Sequence, residues 1–123
     1  MDNGHINVTI AIGVVELRGY IDETGRRRFA EWFEDLEPSA SAKVAIALTR
    51  MEQGNFSNAK GVGQGVFEYK IDFGPGYRIY FGWDGERLVI LIGGGTKKRQ
   101  QLDVSAAQLC WADYKRRKKQ ETI

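Results

Sequence analysis

The chain has 123 residues, 18 Lys and Arg against 16 Asp and Glu, and a net charge of +2. At 42% hydrophobic and 11% aromatic it can bury the core of one domain, residues 1–123, but no apolar run approaches the roughly 18 residues of a membrane span. A single cysteine, Cys110, excludes an internal disulfide and fits a reducing cytoplasm, and with His5 as the only histidine a structural zinc site has too few ligands.

No basic region followed by an apolar run opens the chain, so no signal peptide is expected. The β-branched, apolar stretch NVTIAIGVVELRGYI, residues 7–21, predicts a first strand with a break at Gly13. RRRFAEWFEDL, residues 26–36, places Phe29, Trp32, Phe33 and Leu36 at helical spacing. Pro38 and Ser39 interrupt the pattern. A second helix is predicted over residues 40–55, with Val44, Leu48 and Met51 inward and Gly54 as its C-terminal cap. The two helices form a hairpin. SNAKGVGQG, residues 57–65, lacks the GK[ST] ending of a phosphate-binding loop and is expected to be a connector from which Lys60 reaches a phosphate.

GVFEYKIDFGPGYRIYF, residues 65–81, predicts a β-hairpin around Gly74-Pro75-Gly76. Side chains alternate faces along a strand. Phe67, Tyr69, Ile71, Phe73, Tyr77, Ile79 and Phe81 thus share an apolar face, and Glu68, Lys70, Asp72, Arg78 and Tyr80 a polar one. A three-residue loop sets Phe73 opposite Tyr77, Asp72 opposite Arg78 and Lys70 opposite Tyr80. From pattern alone an ordinary cross-strand ion pair on a wet sheet face is the preferred account of Asp72 and Arg78; an anion-binding face is the alternative and needs support from elsewhere in the chain. Asp84-Gly85 signals a two-residue turn into the apolar third strand of this set, RLVILIGGG. Asp103 is placed to cap a last helix from Val104, with Ala107, Trp111 and Tyr114 on one side. The order β, α, α, β, β, β, α predicts an α+β domain with a mostly antiparallel sheet of about four strands, helices on one face and a C-terminal helix. Residues 97–123 carry eight basic and three acidic side chains, which suits nucleic acid or a solvated helix end.

Five segments carry a family resemblance over residues 14–118: FAEWFEDL, LTRMEQGNFSNAK, GVFEYKIDFGPGYRIYF, LVILIGGGTKKRQQLDV and the Trp111–Tyr114 helix. Together they resemble the RelE/ParE superfamily of bacterial toxins, in the Gp49-like and HigB-like addiction-module branch. The resemblance implies a RelE-like fold and a cytoplasmic toxin of a type II toxin–antitoxin system, neutralised by a helix-turn-helix antitoxin. It further implies a metal-independent, cofactor-free endoribonuclease that cleaves mRNA on the ribosome and inhibits translation. In such a reaction the 2′-hydroxyl attacks the neighbouring phosphate, and cations stabilise the phosphorane. On that reading Arg78 of the GYR motif clamps the phosphate, Lys70 and Lys97 add charge, and Tyr80 holds or donates a proton. Lys60, Lys98, Arg99 and Gln100 bind RNA, and the terminal run Arg116, Arg117 and Lys118 adds affinity. Members of the ParE type instead block DNA gyrase without cleaving RNA, and a non-toxic RNA- or protein-binding module is the third reading. Several nuclease relatives carry a histidine or a C-terminal tyrosine as acid or base; here His5 lies outside the matched region, and Tyr77, Tyr114 and Cys110 are expected to be core residues.

Overall fold

A computed structural model describes residues 14–121. Its elements are β1 (Glu16–Gly19), α1 (Arg28–Glu34), α2 (Pro38–Glu52), β2 (Ala59–Gly63), β3 (Val66–Ile71), β4 (Tyr77–Asp84), β5 (Leu88–Thr96), a 3-10 turn (Lys97–Arg99) and α3 (Gln100–Glu121). The five strands form one sheet in the order β1-β5-β4-β3-β2. All neighbours are antiparallel except β1, which runs parallel to β5. The α+β expectation therefore holds, with an added strand and a mixed sheet. His5 and the first half of the predicted N-terminal strand lie outside the described residues.

Two helix placements follow directly from local chemistry. Pro38 sits in the first turn of α2, where its missing N–H is no loss, so it begins that helix as well as ending the pattern before it. Gly54 follows the helix at φ 83°, the left-handed stop that glycine adopts without strain. The predicted connector is in fact β2 with a two-residue turn, Gln64-Gly65, leading into β3. Its glycines hid its strand character, and Gln64 is a non-glycine residue at φ 57°.

The hairpin register also differs from expectation. Ile71 pairs with Tyr77, Lys70 with Arg78, Tyr69 with Ile79 and Glu68 with Tyr80. The Phe73 N–H folds back to the Ile71 carbonyl, and the Gly76 N–H donates to Phe73, so the ladder stops early and the loop has five residues. Because the slip is by two positions, every side chain keeps its predicted face; only its partner changes. Asp72 falls in the loop and does not face Arg78. The next turn is also longer than predicted: Asp84 pairs with Leu88, leaving Gly85, Glu86 and Arg87 between them.

Helices cover both sheet faces, not one. On the first, Phe29, Val44 and Met51 of α1 and α2 pack with Tyr69, Ile79, Phe81 and Leu91. On the second, Ala107 and Trp111 of α3 pack with Tyr20, Val66, Tyr80, Ile90 and Ile92. Glycines permit the close approach. A Cβ on Gly82 would lie 2.6 Å from the Trp111 ring, on Gly94 2.3 Å from the Trp32 ring, and on Gly95 2.0 Å from the Asp103 carboxylate. Gly93, between Ile92 and Gly94, has no atom within 4 Å of such a Cβ.

The far end of α3 is tied down by two tyrosines. Tyr20 donates to Asp113 at 2.5 Å, and Arg117 reaches both Asp113 and the Ile21 carbonyl. Tyr114 donates to Asp84 at 2.5 Å, and Lys118 pairs with the same carboxylate. These partners hold both aspartates below the usual carboxylate range, chiefly Lys118 and then Tyr114 for Asp84, and chiefly Tyr20 for Asp113.

Two outcomes follow. Gly94→Ala forces the Trp32 ring aside and should lower unfolding free energy by about 1–3 kcal/mol in urea, as overpacking does, whereas Gly93→Ala should not destabilise. Depressed carboxylates contribute stability that is present above their unfolded pKa of about 3.9 and lost as pH falls through the folded value. The melting temperature should thus drop below about pH 4, and the drop should be shallower in Asp113→Asn.

Candidate functional site

The predicted polar face does not lie open. The 3-10 turn and the start of α3 cross it, so Glu68 and Arg78 are only 1% and 4% exposed. The Arg78 Nε lies 3.7 Å from a Glu68 oxygen, close enough for an ion pair but without a hydrogen bond. Gln100 donates to the other Glu68 oxygen at 2.8 Å. Arg78 Nη1 donates to the Gly76 carbonyl at 2.6 Å, and the Lys97 backbone N–H donates to the same oxygen at 3.0 Å. One carbonyl of the Gly-Pro-Gly loop therefore joins the β4 arginine to the start of the basic 3-10 turn.

Around this buried pair the structure gathers exposed cations. Lys70 stands opposite Arg78 on β3, and Lys60 opposite Glu68 on β2. Lys97, Lys98 and Arg99 form the exposed 3-10 turn. None of these five makes a salt bridge among the described residues. A groove of about 430 Å³ beside them is lined by Asn58, Lys60, Glu68, Lys70 and Asp72. This end of the sheet therefore carries four exposed ammonium groups and one guanidinium around a buried ion pair whose own charges largely offset each other.

Other predicted residues are placed elsewhere. Tyr80 faces Glu68, not Lys70, and is 1% exposed. Burial, followed by the Glu68 charge, pushes its hydroxyl well above the usual tyrosine range. That hydroxyl has no hydrogen-bond partner and lines a separate cavity between α1 and α3. Asp103 is the fourth residue of α3, not its cap, because the helix begins at Gln100. Arg116, Arg117 and Lys118 lie some 16–18 residues along α3 from Gln100, roughly 24–27 Å at 1.5 Å per residue, and pair with Asp113 and Asp84. They share no site with Arg78. Tyr114 stacks on Trp111 at 5.1 Å and Cys110 is partly buried, its thiol raised by that burial.

Sequence reasoning put Glu68 on the polar face without giving it a role. The signal was present, since a carboxylate between Phe67 and Tyr69 in a largely apolar strand invites an internal partner. Its capture by Arg78 and Gln100 depends on α3 crossing the face. Among the described residues no group of three or more His, Cys, Asp or Glu is placed to hold a metal, and no helix is long and apolar enough to cross a membrane.

A family model described as phage-derived protein Gp49-like matches residues 31–115. An uncharacterized protein of Haemophilus influenzae is 40% identical over 82 residues, which are 66% of this chain and 83% of that protein.

Removing one partner of the buried pair strands the other. Arg78→Ala should lower stability by about 3 kcal/mol, and adding Glu68→Gln should restore part of it. Asp72→Ala should leave urea denaturation nearly unchanged; a loss matching that of Arg78→Ala would require the three-residue loop.

Proposed function

Because the chain belongs to the Gp49-like family of phage-derived proteins, which is associated with toxin–antitoxin systems, we propose that it is the toxin of a type II pair and an endoribonuclease acting on translated mRNA in the cytoplasm. The observation that carries this reading is the set of unpaired cations Lys60, Lys70, Lys97, Lys98 and Arg99 around the Arg78–Glu68 pair. In the cleavage the 2′-hydroxyl oxygen bonds to the adjacent phosphorus, the P–O5′ bond breaks, and the proton lost from the 2′-hydroxyl ends on the 5′-oxygen. The chain contributes charge to the phosphorane: Lys70 and Lys97 contact its oxygens, while Arg78, its own charge offset by Glu68, fixes Lys97 through the Gly76 carbonyl. Such positioning needs no metal.

Burial of Arg78 favours a second reading in which this residue is a structural anchor and the toxin works by binding alone, to gyrase or to the ribosome. The antitoxin in either case is expected to be a helix-turn-helix protein whose acidic segment covers the cationic end.

The test is cleavage of mRNA by purified protein on translating ribosomes, read by mapping new 5′ ends. We expect ends inside codons, insensitivity to chelators, and a loss of about 100- to 1,000-fold in the exposed double variant Lys70→Ala, Lys97→Ala with an unaltered melt. Growth arrest with intact mRNA and DNA damage would select gyrase. Full cleavage by the double variant would refute the site.

A further inference from the structure

The cavity between α1 and α3 is not explained by phosphate binding. It holds about 320 Å³, within the range of small-ligand sites, and Arg28, Trp32, Tyr80, Gly93, Asp103 and Cys110 line it. A bulge creates it. Tyr80 pairs with Gly93 and Phe81 with Leu91, so Ile92 is an extra residue in β5 and Gly93 follows it on the side of Tyr80 and α3. Gly93 leaves the floor bare. The two residues after it, Gly94 and Gly95, must be glycine because Trp32 and Asp103 occupy their Cβ positions, and no such contact applies to Gly93. Nor is its φ positive. Nothing in the packing or the backbone demands a glycine there, and any larger residue would fill the space.

The walls carry unused hydrogen-bonding groups. Tyr80 Oη and Arg28 Nε are both buried without a hydrogen-bond partner among the described residues, although burial and then the nearby Glu68 carboxylate raise the pKa of the Tyr80 hydroxyl. Isolated buried polar atoms are costly, and those in a native fold call for a partner. No side chain among the described residues donates to the Asp103 carboxylate, which faces the same space. An apolar ligand would leave all three unsatisfied. A free phosphate would meet Asp103 and Asp35 with only Arg28 to offset them, since Arg26 and Glu31, which also line the cavity, pair with each other. A flat, neutral ring with donors on one edge and acceptors on another satisfies all of them.

We propose that this cavity binds a guanine base. Guanine presents N1–H and N2–H side by side, matching the two oxygens of Asp103, and its O6 and N7 accept from Arg28 and Tyr80. Adenine has no ring N–H to pair with the carboxylate in this way. Trp32, laid against Gly94, gives the base an aromatic neighbour, and Gly93 gives it a floor to lie on. The site is separate from Lys70 and Lys97, lying on the other flank of α3, and its occupancy does not depend on whether the chain cuts RNA. The guanine can belong to a free nucleotide or to an unpaired nucleotide of RNA.

The experiment is titration of the ¹⁵N-labelled protein with GMP, AMP, CMP and UMP, followed by amide shifts at Gly93 and Gly94 and by the Trp32 indole N–H. GMP should bind roughly tenfold to a hundredfold more tightly than AMP, the discrimination a bidentate base contact supplies. Gly93→Val should lose GMP while keeping its melt; Arg28→Met, at a helix surface, is the second variant should valine disturb the bulge. Asp103→Asn should level GMP and AMP, and Lys70→Ala, Lys97→Ala should bind GMP as before. A second arm compares hexaribonucleotides with one central G or one central A. Preference for the G hexamer over GMP identifies RNA as the source, and preference for GMP identifies the free nucleotide. Equal shifts by all four mononucleotides, or GMP binding unchanged in Gly93→Val and Arg28→Met, would overturn the proposal.

Discussion

Two indole rings lie flat against glycine backbone on opposite faces of one sheet, and the arrangement of everything else depends on that. Trp111 occupies the space of a side chain at Gly82, and Trp32 does so at Gly94. The first contact sets the height of α3 over β4, and the second seats α1 against β5. Since α3 lies low, its first turn closes over Glu68 and Arg78 and converts a charged sheet face into a buried ion pair. Such a pair is weak evidence for stability, because desolvation of two charges offsets most of their attraction. What it achieves is positional. Arg78 holds Gly76, Gly76 holds Lys97, and Gln100 holds Glu68, so strand, loop and helix share a single hydrogen-bonded joint.

Much of the fold was legible because two periodicities are clean. Phe29, Trp32 and Phe33 repeat as a helix, and Phe67 to Phe81 alternate as strands, so faces were assigned correctly even where partners were not. The hairpin shows why. Alternation is insensitive to a slip of two, and loop length was inferred from Gly-Pro-Gly alone, whereas the Phe73 N–H turns back on Ile71 and lengthens the loop. β2 escaped notice for the opposite reason: three of its five residues are Ala or Gly, and its pairing with β3 supplies the order its side chains do not.

The site was legible only as a list of charges. Lys60, Lys70, Lys97 and Arg99 are separated in sequence, and the sheet register brings them together. Burial of Glu68 and Arg78 could not be read. Ala107, Trp111 and Tyr114 mark one stripe of the otherwise polar α3 as internal, but not which strand residues its first turn covers. Nor can a sequence distinguish among Gly93, Gly94 and Gly95, although one borders open space and two are filled by neighbours.

The tyrosine clamps at the end of α3 have an effect beyond anchoring. Asp84 and Asp113 absorb the charge of Arg117 and Lys118 and part of that of Arg116, so the terminal basic run projects less field into solvent than its letters suggest. The exposed cations at the opposite end of the sheet make no ion pair among the described residues, although Glu68 and Asp72 lie in the groove beside two of them. The two ends of the molecule lie farther apart than the screening length of about 8 Å at physiological salt, so a polyanion nearing one is shielded from the other. It experiences a torque as well as an attraction, and the molecule is turned to present its Gly-Pro-Gly end before contact is made.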